Sequence, residues 1–252
     1  MRSKLEKQEL YELDKKALVE LIFESLHLIT LHYGIWFRET EHQLGLDRAI
    51  EVDDIAWKRI LPIILGRVTQ RLKIPAEDSI PELLTGASKE ELVELLTDMG
   101  KNWLATDGSW FQAVEQNFDY EMYNAKRIND TCWVRFSYIE AKRIMKRLGL
   151  PENGGIPVLK QALGYRQYAL VNKQEIIDVS ENKIIFRMNE CRVQLARGRA
   201  GLPDYPCKSG GIVEYTRFAE GIDPRIKTTC IGCPPEPHPK EWYCAWEFEL
   251  IT

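Results

Sequence analysis

Apolar residues recur at helical spacing through the first half of the chain, then at alternating spacing through much of the second. Leu10, Leu13, Ala17, Leu21 and Leu28 are separated by three-, four- or seven-residue steps, which places them on one stripe of an amphipathic helix. Ser88 followed by Glu91 has the form of a capping box and predicts a helix opening at KEELVELL. Pro75 and Pro81 predict a linker ahead of it. After LGLPENGGIP the pattern changes. IPVLKQALGY predicts a short helix, and QEIIDVS and KIIFRM predict two strands joined at the turn residues Glu181 and Asn182. CRVQLARGRAGL fits either a continued strand or the start of a helix. GIVEYTRFAEGI predicts a helix after a double glycine, and IKTTCIG and WYCAWEFELI two further strands. The order β-β-α-β-β implies an antiparallel sheet with packed helices, and hence an α+β class. The expected organisation is a helical region over 1–150 and an α+β, cysteine-rich region over 151–252, packed as one globular unit.

The helical half contains a repeat. Residues 32–67 and 106–143 align at an offset of 74, with Gly34, Trp36, Phe37 and Glu41 against Gly108, Trp110, Phe111 and Glu115. After a two-residue insertion, Ala49, Asp54, Trp57, Arg59 and Arg67 match Ala125, Asp130, Trp133, Arg135 and Arg143. Shared tryptophans at equal spacing predict a duplicated helix–loop–helix unit. Gly34, Phe37 and Glu41 fall on one helical face, as do Gly108, Phe111 and Glu115, so both glutamates are expected to be partly buried. Two readings follow. Glu41 and Glu115 either pair with Arg67 and Arg143 to fix two helical hairpins, or face a ligand pocket as acids or bases. In the second reading His32 and Asp107, at nearly equivalent positions, join them, and Trp36 and Trp110 supply apolar walls. His27 and His42 have no counterpart in the other repeat and read as ordinary helix histidines.

Composition narrows the function classes. The chain has 252 residues, 44% hydrophobic and 29% charged, with a formal charge of −4. That charge leaves no electrostatic footprint for nucleic acid or an anionic membrane. The apolar run ALVELIF is short of a membrane span, and the charged N-terminus lacks a secretory apolar region. A cytoplasmic, reducing location is expected. There, clustered thiols point to metal or redox chemistry rather than to disulfides. Cys132 stands apart, whereas Cys191, Cys207, Cys230, Cys233 and Cys244 crowd the last quarter.

Cys230-Ile-Gly-Cys233 is a CxxC at a strand end, the spacing with which a turn aims two thiolates at one zinc ion. Cys207, before a helix, is a candidate third ligand, and Cys191, Cys244 and His238 are further ones. Zinc suits such a sulfur-rich site, and iron or an iron–sulfur cluster uses the same ligands. The alternatives are a thioredoxin-like CxxC, a Cys233–His238 nucleophile pair, and plain core thiols; Cys244, on one strand face with Trp242, Trp246, Phe248 and Leu250, suits the last.

Helices followed by an antiparallel sheet that ends in C…WYCAWEF resemble the 4-vinyl-reductase-like small-molecule-binding domains over roughly residues 100–252. With its HYGIWF and DGSWF segments and CPPE loop, the whole chain resembles proteins grouped near the L-2-amino-thiazoline-4-carboxylic acid hydrolases. The first resemblance implies zinc held by three cysteines and a glutamate beneath a hydrophobic ligand pocket, which by order are Cys207, Glu220, Cys230 and Cys244. Together the resemblances imply a small-molecule-binding metalloprotein, either a hydrolase of a small thiol, amide or heterocyclic compound or a non-catalytic ligand-binding or sensing domain with structural zinc. The expected partner is a small molecule, with a homodimer as the open alternative to a monomer.

Overall fold

The computed structural model describes residues 2–5, 8–73, 86–117 and 122–251. Pro75 and Pro81 lie outside them. The chain forms two compact units, one of residues 8–132 and one of residues 1–7 with 133–252. The division falls inside a helix, not at the change of pattern near residue 150.

The first unit consists of α1 (Gln8–Glu12), α2 (Lys15–Leu44), α3 (Leu46–Leu72), α4 (Lys89–Asn117) and the first part of α5 (Met122–Leu148). α2 packs on α3 and α4, and α3 packs on α4. Asp14 caps α2 by accepting from the Ala17 N–H at 2.8 Å. The capping box is formed, for Glu91 Oε2 accepts from the Ser88 N–H at 2.8 Å and the Glu91 N–H donates back to Ser88 Oγ at 3.2 Å. Each repeat spans two helices: 32–67 runs from α2 into α3, and 106–143 from α4 into α5.

The buried stripe of α2 is Leu18, Ile22, Ser25, Leu28, Ile29, His32, Ile35, Trp36, Glu39 and Thr40. By length and composition, with a mean hydropathy of 1.3 over its best window, α2 could cross a membrane. A core helix meets the same test, and this stripe is where α2 meets its neighbours.

The second unit is α+β, as the alternating pattern predicts. Strands β1 (Arg2–Leu5), β2 (Lys173–Ser180), β3 (Lys183–Glu190), β4 (Ile226–Gly232) and β5 (Cys244–Leu250) form one antiparallel sheet in the order β1-β2-β3-β5-β4. Between β3 and β4 the chain makes α7 (Arg192–Arg199) and α8 (Lys208–Ile222), so CRVQLARGRAGL starts a helix. α6 (Gly155–Leu163) and a short 3-10 helix (Gln167–Leu170) precede β2. Ile176, Ile184, Phe186, Trp246 and Phe248 from the sheet, Leu159 and Leu163 from α6, and Tyr215, Phe218 and Ile222 from α8 make one core.

Inside this core lies a charged group. Arg166, 1% exposed, meets Glu140 at 2.9 Å and Glu214 at 2.8 Å. Its guanidinium lies 4.5 Å from the Phe218 ring centroid and 5.3 Å from that of Tyr215. Burial alone would lower the Arg166 pKa, but the two carboxylates outweigh it and hold the group firmly charged.

Candidate functional site

Five of the six cysteines fall in the second unit, on four different parts of its fold, and all six are free thiols. Cys191 is the N-cap of α7, Cys207 the N-cap of α8, Cys230 lies near the end of β4 with Cys233 just beyond it, and Cys244 opens β5. Antiparallel pairing of β4 with β5 brings the ends together: Cys230 lies opposite Trp246, and after a bulge Gly232 lies opposite Ala245. Continuing that register sets Cys233 facing Cys244.

Two glycines make the approach close enough. A Cβ on Gly211 of α8 would stand 2.5 Å from the Trp246 ring, so only glycine lets α8 lie on β5 and carry Cys207 to the site. A Cβ on Gly232 would stand 2.9 Å from Trp242. The loop after β4 is tied to α8 by the Lys208 N–H, which donates to the Pro234 carbonyl at 2.8 Å, and by a Lys208–Glu236 ion pair. Gln194, 2% exposed, fixes the segment before α8 by donating to Tyr205 O at 2.9 Å and to Cys207 Sγ at 3.2 Å.

Cys233 has Cys207 and Cys244 as neighbours. These contacts, that with Cys207 foremost, together with burial hold its pKa far above the usual thiol range. Burial, then the neighbouring Cys207 sulfur, pushes Cys191 up, while the backbone N–H groups of Gln194 and Val193 oppose the rise. Cys230 is raised chiefly by burial, and the Lys208 ammonium works against that. At Cys191, Cys230 and Cys233 the neutral thiol is therefore favoured. Among the described residues no group of three or more His, Cys, Asp or Glu side chains is placed to hold a metal ion. Two of the five cysteines, Cys191 and Cys207, stand at helix N-termini.

Neither Glu220 nor His238 joins this group. From Cys207 to Glu220, α8 rises about 20 Å, and Glu220 pairs with Arg217 instead. His238 Nε2 meets Asp204 at 3.1 Å and its Nδ1 faces the Pro239 carbonyl at 2.9 Å.

A second polar cluster lies in the helical unit. His32, fully buried, has Nε2 3.6 Å from Asp107 Oδ1. The same oxygen accepts from Trp36 Nε1 at 3.2 Å and from Asn129 Nδ2 at 3.4 Å. Trp36 stacks on Trp110 at 5.8 Å, and His32 lies 5.8 Å from Trp103. Burial pushes Asp107 up to about 6 and His32 down to about 3, so near neutral pH the imidazole is uncharged despite its acidic neighbour. Four of the six residues expected in a ligand pocket, His32, Trp36, Asp107 and Trp110, are thus brought together.

The two glutamates are not. Gly34 and Glu41 are exposed on α2, and the buried carboxylate there is Glu39, 1% exposed. Residues 39 and 41 stand about 200° apart around a helix, so the Gly34–Phe37–Glu41 face is the solvent side of the stripe through His32 and Trp36. Glu115 is partly exposed, and Arg67 donates to Asn102. Sequence reasoning missed Asn129 and Gln194, whose only signal is a polar residue at a core position of an amphipathic helix.

Residues 11–87 and 85–250 match a family of unknown function, DUF6125. Searches of the curated proteins and of the solved structures find no match to this chain. With nearly its whole length covered by those two segments, the chain belongs to the DUF6125 family of unknown function.

Proposed function

We propose that residues 133–252 form a metal-binding domain in which Cys191, Cys207, Cys233 and Cys244 hold one zinc or iron ion, and that this ion serves folding rather than chemistry. The observation that carries the reading is the convergence of three elements on one spot: β4–β5 pairing runs on to set Cys233 opposite Cys244, and the Lys208 N–H bond to the Pro234 carbonyl holds the start of α8, with Cys207, beside Cys233. Cys191 is assigned as the fourth ligand because it caps α7, the helix whose Gln194 donates to Cys207 Sγ at 3.2 Å. Four thiolates close a tetrahedral shell and leave no position for substrate, which favours structural zinc over a hydrolytic one. Small-molecule binding, which the resemblance to the vinyl-reductase-like domains implies, then belongs to residues other than these. The His32–Asp107–Trp36–Asn129 cluster, in which Asp107 accepts from Trp36 and Asn129, serves as a polar contact that fixes helix register.

A strong chelator tests this reading. Because metal affinity is coupled to folding, removing the ion should open the amides of β4, β5 and α8 to hydrogen exchange while α2 and α4 keep their protection. Unchanged exchange throughout, in protein from which the ion has been removed, contradicts it.

A further inference from the structure

α2 has two apolar sides. One is the buried stripe that meets α3 and α4. The other lies about 150° around the helix and faces solvent, its residues spaced by threes and fours from Lys16 to Glu41. Phe23, Leu26, Thr30 and Gly34 in the middle of this outer stripe are exposed, and Val19 and Phe37 beside them are half-buried. Its only charges are at its two ends, Lys16 and Glu41, and from Ser25 to Phe37 the helix carries no Asp, Glu, Lys or Arg. Trp57 of α3, also exposed, stands edge-on to Tyr33 and widens the apolar surface. A helix that is apolar on its outer side as well marks an interaction surface.

We infer that this face binds the same face of a second copy of the chain, with the two α2 helices antiparallel about a two-fold axis near Leu28. The order of residues along the stripe carries the inference, because it is complementary to its own reverse. Turned end for end about Leu28, a second copy sets Lys16 opposite Glu41, Val19 opposite Phe37, Phe23 opposite Gly34 and Leu26 opposite Thr30. The two-fold axis then repeats each pair, as an isologous interface requires. The pairs match in charge and in size. Lys16 and Glu41, both exposed, close the two ends with opposite charges, and on the flank the exposed Arg38 comes opposite Glu20. A Cβ on Gly34 would meet nothing within 4 Å, so this turn offers bare backbone on which the exposed Phe23 ring of the other copy lies. Small residues at 30 and 34 let the helices approach closely enough for side-chain ridges to enter grooves. A parallel copy fails on each count: it sets Lys16 on Lys16, Glu41 on Glu41 and Phe23 on Phe23, and leaves Gly34 facing Gly34. A lipid surface would accept the apolar middle but gives no reason for opposite charges at matched distances from the centre.

Sedimentation of the full-length chain over a range of concentrations, with unfolding measured on the same samples, tests the inference. A reversible dimer is expected. Gly34→Leu has room within its own chain, so it should leave the unfolding transition of the monomer intact while weakening the dimer by about tenfold or more, because the new side chain takes the place of Phe23. Lys16→Glu and Glu41→Lys, each setting like charges together twice per dimer, should each weaken it by roughly fivefold, and more at low salt. The two changes combined in one chain should restore the wild-type association. A chain that stays monomeric at every concentration, a dimer indifferent to Gly34→Leu, or a double variant no tighter than its single parents would each overturn the proposal. So would a monomer that floats with vesicles of phosphatidylcholine and phosphatidylglycerol, which would give the face to lipid instead.

Discussion

Replacing Asp107 with Asn should change how the helical unit responds to pH while disturbing its packing little. The variant keeps an oxygen able to accept from Trp36 and Asn129 but removes the titrating group. In the wild-type unit Asp107 and His32 act in opposite senses. Asp107 is raised from 3.8 to about 6, so folding is favoured by its protonated form. That contribution is full below pH 3.8 and disappears as pH rises through 6, a change of about 3 kcal/mol at ~1.4 kcal/mol per pKa unit. His32 is lowered from 6.5 to about 3, so its contribution is full above pH 6.5 and is lost as pH falls towards 3, a change of about 5 kcal/mol. Between pH 6 and pH 4 the two slopes nearly cancel. Asp107→Asn removes one of them, and the variant should lose about 3 kcal/mol relative to wild type between pH 7 and pH 4. Because an ionised buried carboxylate has gone, it should be the more stable protein at pH 7. Native-state hydrogen exchange of the α4 amides, compared between the two proteins at several pH values, measures the difference while other titrating groups cancel. Parallel curves would refute the reasoning.

Arg166→Met should destabilise the second unit by about 3–5 kcal/mol in thermal or denaturant unfolding, because it leaves Glu140 and Glu214 buried without their cation; a loss under about 1 kcal/mol would show that the pair is dispensable. Gly211→Ala should cost about 1–3 kcal/mol and weaken metal retention, since its Cβ would stand 2.5 Å from Trp246 and push α8, with Cys207, off β5; an unchanged melting temperature would mean that the helix shifts freely.

The second unit was legible because its signals are local. Alternation over 174–180, 183–188 and 244–250 marks strands, and the double glycine at 210–211 marks the opening of a helix. β1 was not legible, because RSKL has no period of its own and is held by pairing with β2. The convergence of the cysteines could be read only in part. The CxxC is visible in the sequence, but the meeting of Cys207, Cys233 and Cys244 depends on the β4–β5 register and on the absence of a Cβ at Gly211. In the helical unit the repeat drew attention to Trp36, Trp110 and Asp107. It misassigned the acidic residue because matched positions need not be buried ones, and the stripe continues from Trp36 to Glu39 and Thr40 rather than to Glu41. Arg166 gave no sign at all: a lone arginine before a short turn reads as surface until the surrounding carboxylates and rings are known.

The central claim is that four cysteines hold one metal ion, and metal content per chain tests it most directly. Elemental analysis of protein purified under reducing conditions should find zinc or iron at about one ion per chain, falling to background in Cys233→Ser and unchanged in Cys132→Ser, whose thiol lies in the other unit. Metal-free wild-type protein that is fully folded, with all five thiols of residues 191–244 free to titrate, would contradict the account.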